Sequence, residues 1–501
     1  MDKLLTLSGK ALAEKIKAGE VSSREVVERH IEQIEKVNPR LNAVVAHRFT
    51  EARKEADEAD LQVKSKSPEE LPLYHGVPCT IKECLALEGM PNTCGVSSRK
   101  DFRPERDATA VARLRKAGAI PMGVTNLPEL CLWFETYSHI YGRCNNPYDC
   151  SRITGGSSGG EGAIIGAGAS PFGLGSDIAG SVRFPAFFNG VFGHKPTGGL
   201  VPNTGQYPPL ENNLRRYLTI GPLARKAEDL IPVLKTIAGP DREDDGCIDY
   251  KVGDPEKVKI DELRVFSIED HWFLNVSPDL RKAQQTCADY LEERGAKVVR
   301  GVRLNAVKKV LGIWFAMVIN ELDNPIENYL GSERMNITKE LYRAIRRDST
   351  HIAPIMALVI LDRFLRQAHK TPVGGFIRKG TDMLVETGLE LKKEISNLLG
   401  DNGVILYPSY STTAPIHGRT LKFPLDSTFM FLPNVLEFPV TQVPLGLSES
   451  SALPMGVQII GNHGCDHVTA AVAVEMEKRF GGWISPGLAV GKERSSFVES
   501  A

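Results

Sequence analysis

The sequence predicts an α/β protein in which helices cover both faces of a mixed, mostly parallel sheet. Helix and strand patterns alternate from residue 77 to residue 302, and strand patterns return after residue 403. Such alternation is typical of parallel strands joined through helices. Between these two parts, residues 305–400 have an almost wholly helical pattern. We therefore predict a single domain over residues 1–501, with a helical insertion at about 305–400.

The first 70 residues predict helices at the surface. In residues 8–37, Ser22 and Glu25 have the spacing of a capping box, and apolar residues follow at helical period. The charge-rich residues 50–70 predict a helix end and a solvated loop. Residues 8–37 are therefore expected to form two amphipathic helices at the surface.

The first predicted strand is Val77–Lys82, because its β-branched residues are followed by Gly and Pro turns. Asp107 is predicted to cap a helix over 108–116, and Gly118 then separates this helix from a strand at 120–124. Later helices are predicted at 159–167, 226–237, 279–293 and 466–478, and later strands near 172–174 and at 264–268, 297–302, 404–407 and 455–460.

Composition excludes several classes of protein. Lys and Arg number 61 against 62 Asp and Glu, so no net field attracts nucleic acid. The nine cysteines are odd in number and include no Cys-x-x-Cys pair, which argues against a disulfide framework or a zinc site. His463 and His467 have the spacing of metal ligands, but Asp466 between them is better explained as the cap of a helix that starts there. We predict no metal, no cofactor and no nucleic-acid partner.

No segment of the sequence predicts a secretory signal or a membrane span. The longest apolar run is Ile352–Leu361, and its ten residues are far fewer than the roughly 20 that cross a bilayer. We therefore expect a cytoplasmic or peripheral membrane protein.

The stretch from Gly155 to Arg183 is the candidate active site, because two glycine-rich loops with serines lie at its two ends. Glycines let backbone N–H groups approach a reacting atom closely. The stretch lacks the pattern of a phosphate-binding loop. Its first loop also fits the Gly-x-Ser-x-Gly nucleophile elbow around Ser157, which would need a late histidine. The available histidines are His417, His463 and His467.

A third interpretation explains more of the residues. Lys82 in Thr-Ile-Lys-Glu-Cys, Ser157 in Gly-Gly-Ser-Ser-Gly-Gly and Ser181 in Asp-Ile-Ala-Gly-Ser-Val-Arg together resemble the signature of the amidase signature family, in type and in spacing. Within that family the sequence is most similar to the fatty-acid amide hydrolases, type 2 in particular. The resemblance covers most of the chain, with further motifs at 126–130, 132–136, 143–149, 193–198, 221–225, 438–446 and 454–461.

The resemblance implies the amidase signature fold and a serine hydrolase that cleaves carboxylic amides and esters, with long-chain fatty acid amides as the expected substrate. Ser181 would attack the carbonyl and form an acyl-enzyme, Ser157 would relay protons, and Lys82 would be the base. The family also implies a cis peptide bond between Gly156 and Ser157. The oxyanion hole would be formed by the backbone N–H groups of Ile178, Ala179, Gly180 and Ser181.

A lysine can act as a base only when it is neutral. Burial away from carboxylates lowers the pKa of a lysine, whereas an exposed lysine stays charged up to about pH 10.4. We therefore predict that Lys82 is buried, has a lowered pKa, and pairs with Ser157 rather than with Glu83.

Supporting roles are expected for Ser158, Asp177 and Arg183, the last two as an ion pair that holds the signature loops. Two positions depart from the family, because Ala179 and Glu437 stand where glycine is usual. If residue 179 requires a positive φ, its alanine would strain the oxyanion hole. Four aromatic residues are candidates either for an acyl-chain channel or for the core: Trp133, Phe134, Trp314 and Phe315.

Two alternatives stay open for the function. A related amidotransferase of the glutamine-using type would require partner subunits, with this chain as its A subunit, and a catalytically silent member of the family would act as a binding protein.

Relatives of type 2 usually carry an N-terminal membrane segment that this sequence lacks. A shortened chain, a soluble relative, and peripheral membrane attachment through Ile352–Arg366 are all compatible with that difference. A helix buried in an interface or in the core is the alternative for that segment, and we favour it. A homodimer is a further candidate for the assembly.

Overall fold

The computed structural model of the protein describes residues 2–269, 274–302, 304–331, 335–346 and 348–489. Parts of the predicted helical insertion, and the two ends of the predicted domain, therefore lie outside the described residues. The division into one domain with an insertion stays a prediction.

A large mixed sheet forms the centre of the fold. Its strand order is β1-β3-β2-β6-β8-β7-β12-β13-β11-β9-β10, and β4 and β5 form a separate hairpin. The strands are β1 Val44–His47, β2 Val77–Lys82, β3 Ala119–Thr125, β4 Tyr137–Ser138, β5 Gly142–Arg143, β6 Phe172–Asp177, β7 Phe192–Lys195, β8 Thr219–Ala224, β9 Arg264–Ser267, β10 Lys297–Arg300, β11 Gly403–Pro408, β12 Val440–Leu447 and β13 Pro454–Gly461.

Parallel pairing is confined to two groups of strands. One group is β3-β2-β6 and the other is β11-β9-β10. Antiparallel pairs join these groups through β8, β7, β12 and β13, and β1 is also antiparallel to β3. The predicted mostly parallel order therefore holds only within the two groups. The physical reason is visible at residues 448–453, where a short turn joins β12 to β13, because such a connection permits only antiparallel strands.

Helices cover both faces of the sheet, as predicted. They are α1 Gly9–Lys17, α2 Ser23–Leu41, α3 Phe49–Ser65, α4 Thr109–Lys116, α5 Gly159–Gly166, α6 Arg183–Phe188, α7 Leu214–Tyr217, α8 Leu230–Ile237, α9 Pro278–Glu293, α10 Val310–Asn320, α11 Ile337–Ile345, α12 Ala353–His369, α13 Pro372–Leu399, α14 Arg419–Lys422, α15 Phe431–Leu436, α16 Asp466–Phe480 and α17 Pro486–Ala489.

Strand β11 shows why both faces need helices. Successive side chains of a strand point to opposite faces of the sheet. Val404 and Leu406 pack into the apolar core that α8, α9 and α16 share. Ile405 and Tyr407 pack into a second core with α10, α13 and α15. The apolar side chains of β11 do not alternate with polar ones because both faces of this strand are buried.

Several local predictions can be compared with these elements. The Ser22 hydroxyl accepts a hydrogen bond from the Glu25 N–H at 3.0 Å, as the capping box predicts. The solvated loop predicted within residues 50–70 is wrong over most of its length, because α3 continues to Ser65 and buries Ala52 and Ala56. Small residues at helical spacing supply that buried face despite the many charges.

Two predicted helix caps are also wrong, although the helices exist. Asp107 accepts hydrogen bonds from the Glu88 N–H and from Arg115 instead of capping α4. Asp466 is the first residue of α16, but its carboxylate binds the Thr197 N–H and hydroxyl and the His194 ring. In both cases a tertiary partner takes the carboxylate that the local sequence assigned to the helix.

The predicted helical pattern of residues 305–400 is confirmed by α10, α11, α12 and α13 in the described part of that segment. Among the described residues, no helix combines the length and apolar character that crossing a bilayer requires.

Candidate active site

Lys82 lies at the carboxyl end of β2, next to the parallel strand β6. Carboxyl ends of neighbouring parallel strands meet at one edge of a sheet, where loops from each strand can form a site. The loop before α5 carries Ser157, and the loop between β6 and α6 carries Ser181. The fold thus brings both serine loops and the lysine to the same edge.

Lys82 is fully buried and donates from Nζ to the Ser157 Oγ at 2.6 Å and to the Ser176 Oγ at 3.0 Å. Glu83 is engaged elsewhere, since its carboxylate accepts from the N–H groups of Thr93 and Cys94. The predicted burial of Lys82 and its pairing with Ser157 rather than Glu83 are therefore confirmed.

The glycines after Ser157 allow α5 to pack tightly beneath the site. A Cβ on Gly160 would lie 2.3 Å from the backbone nitrogen of Asn126, so only glycine fits there. The Gly156–Ser157 peptide bond is cis, as the resemblance implied. Ser158 is the residue before α5, and its hydroxyl and the Ser176 backbone lie 3.4 Å apart, which fits a supporting role.

The second serine loop contacts the first through the backbone. The Ser158 N–H donates to the Ser181 carbonyl oxygen at 3.1 Å. The Ser181 side chain makes no hydrogen bond within the described part of the chain, and the residue is 6% exposed. A nearly buried hydroxyl that is not engaged by the protein is suited to meet a substrate carbonyl.

A buried ion pair holds this second loop. Arg183 donates from Nε and Nη2 to both carboxylate oxygens of Asp177, each at 3.0 Å. Its Nη1 donates to the Gln458 Oε1 at 2.7 Å, and its Nη2 also reaches Asn434. Burial raises the pKa of Asp177, but Arg183 outweighs that effect and holds the pKa well below its usual range. The supporting roles predicted for Asp177 and Arg183 agree with this geometry.

Comparison with known proteins places this site in a family. The sequence matches the family described as Amidase over residues 25–469. The chain belongs to the amidase signature family. It is an amide-hydrolysing enzyme.

The amidase is 40% identical to fatty-acid amide hydrolase 2-A of Danio rerio, over 97% of this chain and 90% of that protein. It is also 40% identical to fatty-acid amide hydrolase 2 of Homo sapiens, over 97% and 91%. Similarity to the A subunit of the glutamyl-tRNA(Gln) amidotransferase of Sulfurisphaera tokodaii is lower, at 28% over 91% and 94%. A bacterial aryl acylamidase of the same family has the same fold, with a TM-score of 0.79 at 21% identity over 98% of this chain and 100% of that chain.

The nucleophile-elbow interpretation is not supported by this amidase. His417 bonds to the Cys150 carbonyl oxygen, and His463 lies among Lys392, Glu437 and Arg216. None of the three late histidines has a hydrogen bond to Ser157 among the described residues. Lys82 occupies the position that a histidine base would need.

Ala179 does not strain the second loop. The left-handed residue of the turn is Gly180, with φ 101°, and Ala179 is outside the left-handed region. A Cβ on Gly180 would lie 2.6 Å from the Met430 side chain, so this position does require glycine. The positive φ that was expected to strain Ala179 is therefore adopted by the glycine next to it. Glu437, the other departure from the family, does have left-handed backbone, with φ 58°.

Three of the four N–H groups expected to form the oxyanion hole are available to bind a substrate oxygen. The N–H groups of Ile178, Ala179 and Ser181 have no acceptor within the described ranges. The Gly180 N–H already donates to the Asp177 Oδ1 at 2.8 Å, which corrects the expectation for that residue. The turn can thus aim several donors at one point, while Asp177 fixes its shape.

The pKa of Lys82 is raised, so the predicted lowering is wrong. Burial does lower it, because the interior solvates an ammonium poorly. The neighbouring Cys131, Cys84 and Cys94 thiols and the carboxylate of Asp177 together favour the ammonium and outweigh the effect of burial. Hydrogen bonds from Cys84 and Cys94 in turn hold the pKa of Cys131 well below its ordinary value. The prediction failed because sequence spacing did not place these cysteines beside the lysine.

This arrangement predicts the pH dependence of the amidase. Lys82 must lose its proton to act as a base, so kcat/KM should rise with pH. In Cys131→Ala the negative neighbour is gone and burial becomes the main influence, so more Lys82 is neutral at a given pH. We expect the rise in kcat/KM to move to lower pH. A pH profile of kcat/KM measures this shift, with Cys150→Ala as the control. Identical profiles for Cys131→Ala and the native enzyme would contradict an ionised Cys131.

Aromatic side chains surround the second serine loop. The Trp314 Nε1 donates to the Ile178 carbonyl oxygen at 3.0 Å, and its ring lies 4.7 Å from that of Phe431. Phe134 packs edge-on against Phe184, and Trp133 packs against Phe134. Phe315 packs edge-on against Trp314 and is 38% exposed, so it lies on the outer side of this group. Three of the four aromatic candidates are thus near the site, and Phe315 is peripheral.

Sequence reasoning missed Ser176 and Glu161. Ser176 is the second partner of Lys82, and its position on β6 beside β2 was the only available signal. The Glu161 carboxylate accepts from the hydroxyls of Thr80 and Thr125 beneath the site, and burial raises its pKa to about 8. A Glu161 that is protonated at neutral pH adds no negative charge near Lys82.

Proposed function

We propose that this amidase hydrolyses carboxylic amides through a relay of Lys82, Ser157 and Ser181. Lys82 takes the proton of Ser157, and Ser157 takes the proton of Ser181 as the Ser181 Oγ attacks the carbonyl carbon. The open amides of Ile178, Ala179 and Ser181 bind the oxyanion that forms. The observation that carries this proposal is the 2.6 Å contact between the Lys82 Nζ and the Ser157 Oγ in a buried site.

The second half of the reaction runs through the same groups. The C–N bond breaks, and the proton held by Lys82 returns through Ser157 to the leaving nitrogen, so an amine departs and an acyl-enzyme remains on Ser181. Protonation of the leaving group is the step that makes an amide as cleavable as an ester. Water then attacks the acyl carbon, and the released acid restores Ser181.

A fluorophosphonate probe tests the nucleophile. The probe should label the native enzyme and fail to label Ser181→Ala, because only the Ser181 Oγ is activated for attack. Ser151→Ala, which removes an accessible serine outside the site, should keep full labelling. Intact-protein mass spectrometry counts the adducts. Equal labelling of Ser181→Ala would exclude Ser181 as the nucleophile, and absence of any labelling would favour the catalytically silent alternative.

We propose long-chain fatty acid amides as the substrate class. The similarity to two fatty-acid amide hydrolases supports this proposal, and so does the aromatic lining. The rings of Phe134, Phe184, Phe188 and Tyr410 pack against one another beside the second serine loop, and this apolar surface suits an acyl group better than the polar side chain of glutamine. Measuring kcat/KM for oleamide, a short aryl amide and glutamine decides between the candidates. A preference for glutamine would support the amidotransferase alternative.

We also propose peripheral membrane contact through α12. Ile355 and Val359 are buried on one side of this helix, whereas Phe364 on the other side is 68% exposed. The alternative of a buried helix therefore describes only the side of α12 that carries Ile355 and Val359. Arg363 and Arg366 are already engaged, with Glu327 and Asp362. The apolar residues rather than these arginines would therefore insert between lipids.

Phe364→Glu should weaken binding to phosphatidylcholine vesicles by about tenfold or more, because a large apolar contact is replaced by a charge. Leu61→Glu on α3 is the matched control, since Leu61 is 62% exposed on a different helix. Vesicle sedimentation measures the bound fraction. If the native protein stays unbound but forms a dimer that Phe364→Glu dissociates, the face is an interface between two copies.

A further inference from the structure

Three cysteines form a cluster next to the proposed relay. The sulfur atoms of Cys94 and Cys131 are 3.5 Å apart. The Cys84 Sγ lies 3.9 Å from the Ser176 Oγ, the same hydroxyl that accepts from the Lys82 Nζ. The proposed mechanism uses none of these thiols.

The backbone holds the Cys94–Cys131 pair in place. The Cys94 N–H donates to the Glu83 carboxylate at 2.8 Å, and the Cys94 carbonyl oxygen accepts from the Leu130 N–H at 2.8 Å. Cys94, Leu130 and Cys131 all have left-handed backbone, with φ of 51°, 54° and 58°. Non-glycine residues adopt this conformation at a cost, which surrounding contacts must offset. The backbone that carries the two thiols is thus held in place by the fold.

The two members of the pair differ in access and reactivity. Cys131 is partly exposed, whereas Cys84 and Cys94 are buried. Burial raises the pKa of Cys94 well above its ordinary value, while neighbouring thiols and Lys82 hold that of Cys131 well below. A thiolate is the reactive form of cysteine, and accessible thiolates are the first to be oxidised. An oxidant would therefore react with Cys131 first.

We propose that Cys131 is a reversible oxidation site that a peroxide converts to a Cys94–Cys131 disulfide. The Cys131 thiolate attacks one oxygen of hydrogen peroxide, the O–O bond breaks, and a sulfenic acid and hydroxide form. The sulfur of Cys94 then attacks the Cys131 sulfur, the S–O bond breaks, and the departing hydroxide leaves as water with the Cys94 proton. Overall, one thiolate and one thiol become a disulfide, and one peroxide is reduced to one hydroxide and one water.

The disulfide should lower the rate of amide hydrolysis, and this consequence rests on the proposed function. To form the bond, the two sulfurs must approach from 3.5 Å to about 2.05 Å. That movement displaces Cys131, which neighbours both Lys82 and Ser157. Displacement of a group next to a relay by about 1 Å can cost about 10²-fold in rate. A thiol reductant such as dithiothreitol should restore the rate.

Peptide mapping tests the disulfide independently of any activity. After brief treatment with hydrogen peroxide and alkylation of free thiols, trypsin should release residues 83–99 covalently joined to residues 117–143. Cleavage after Glu88 by a glutamate-specific protease then separates Cys84 from Cys94 and identifies the partner of Cys131. The expected product joins Cys94 to Cys131. A Cys84–Cys131 bond, or no cross-link at all, would overturn the proposal.

Activity measurements test the consequence, each variant being compared with its own untreated rate. The native enzyme should lose about 10²-fold in kcat/KM on peroxide treatment and regain it with dithiothreitol. Cys94→Ala should not form the cross-link, and its Cys131 should stop at the sulfenic acid, which a dimedone adduct reveals. Cys150→Ala should behave like the native enzyme. If the cross-link forms while the rate is unchanged, the disulfide has no regulatory effect, and an enzyme inactive before treatment would instead contradict the proposed function.

Discussion

Lys82→Ala should lower kcat by about 10²–10⁴-fold, because the relay loses the group that accepts the proton of Ser157. The neighbouring carboxylate of Glu83 cannot replace it, since Glu83 is engaged by Thr93 and Cys94. The measurement is single-turnover hydrolysis of an amide substrate, with circular dichroism to verify that the variant is folded.

Lys82→Arg separates a basic role from a structural one. Arginine keeps a positive charge and hydrogen-bond donors, but it does not lose its proton in proteins. If Lys82 merely orients Ser157, Lys82→Arg should retain much of the activity. If Lys82 is the base, Lys82→Arg should be as inactive as Lys82→Ala. High activity of the arginine variant would therefore rule out the proposed role.

Arg183→Ala should destabilise the protein by about 3–5 kcal/mol, because it leaves the buried carboxylate of Asp177 without its partner. Both side chains of this ion pair are fully buried, with 0% exposure. The same change should also impair catalysis, since Asp177 holds the Gly180 and Val182 N–H groups of the turn that carries Ser181. Urea unfolding measures the stability, and the fluorophosphonate labelling rate reports on the turn.

Arg106→Ala is the matched control, because Arg106 forms a comparably short ion pair with Glu243 at the surface. Water solvates both charges there, so the variant should be close to the native protein in stability. Similar losses for Arg183→Ala and Arg106→Ala would contradict a special contribution of the buried pair. The pKa of Asp177 is lower in the folded state than in the unfolded state. The ionised Asp177 therefore stabilises the fold fully at pH values above the ordinary pKa of a carboxylate, and this stabilisation is lost as the pH falls through the lowered pKa.

Residues whose environment is set by distant segments were the ones that sequence reasoning judged least well. Ala179 was expected to be the position at risk, yet Gly180 takes the positive φ, since Met430 of the distant α15 region packs against it. Glu437 ends α15 with φ 58°, and its carboxylate binds Arg216 and Lys392. A glycine at that position would relieve the strain of the left-handed backbone. It would also remove both ion pairs, through which Glu437 links α7 to α13.

The sequence by itself identified Lys82, Ser157 and Ser181 as the candidate site, because their motifs are local patterns whose residue types and spacing can be read along the chain. It also determined that helices and strands alternate, since apolar periodicity is a property of neighbouring residues. Only the tertiary structure decided which strands pair in which direction, and which side chains meet around Lys82. The three cysteines lie at positions 84, 94 and 131, and no local pattern records that β2, the turn after it and the segment after β3 bring their thiols together. Proximity between segments that are distant in sequence depends on how the whole chain packs, and the charge state of Lys82 follows from that packing.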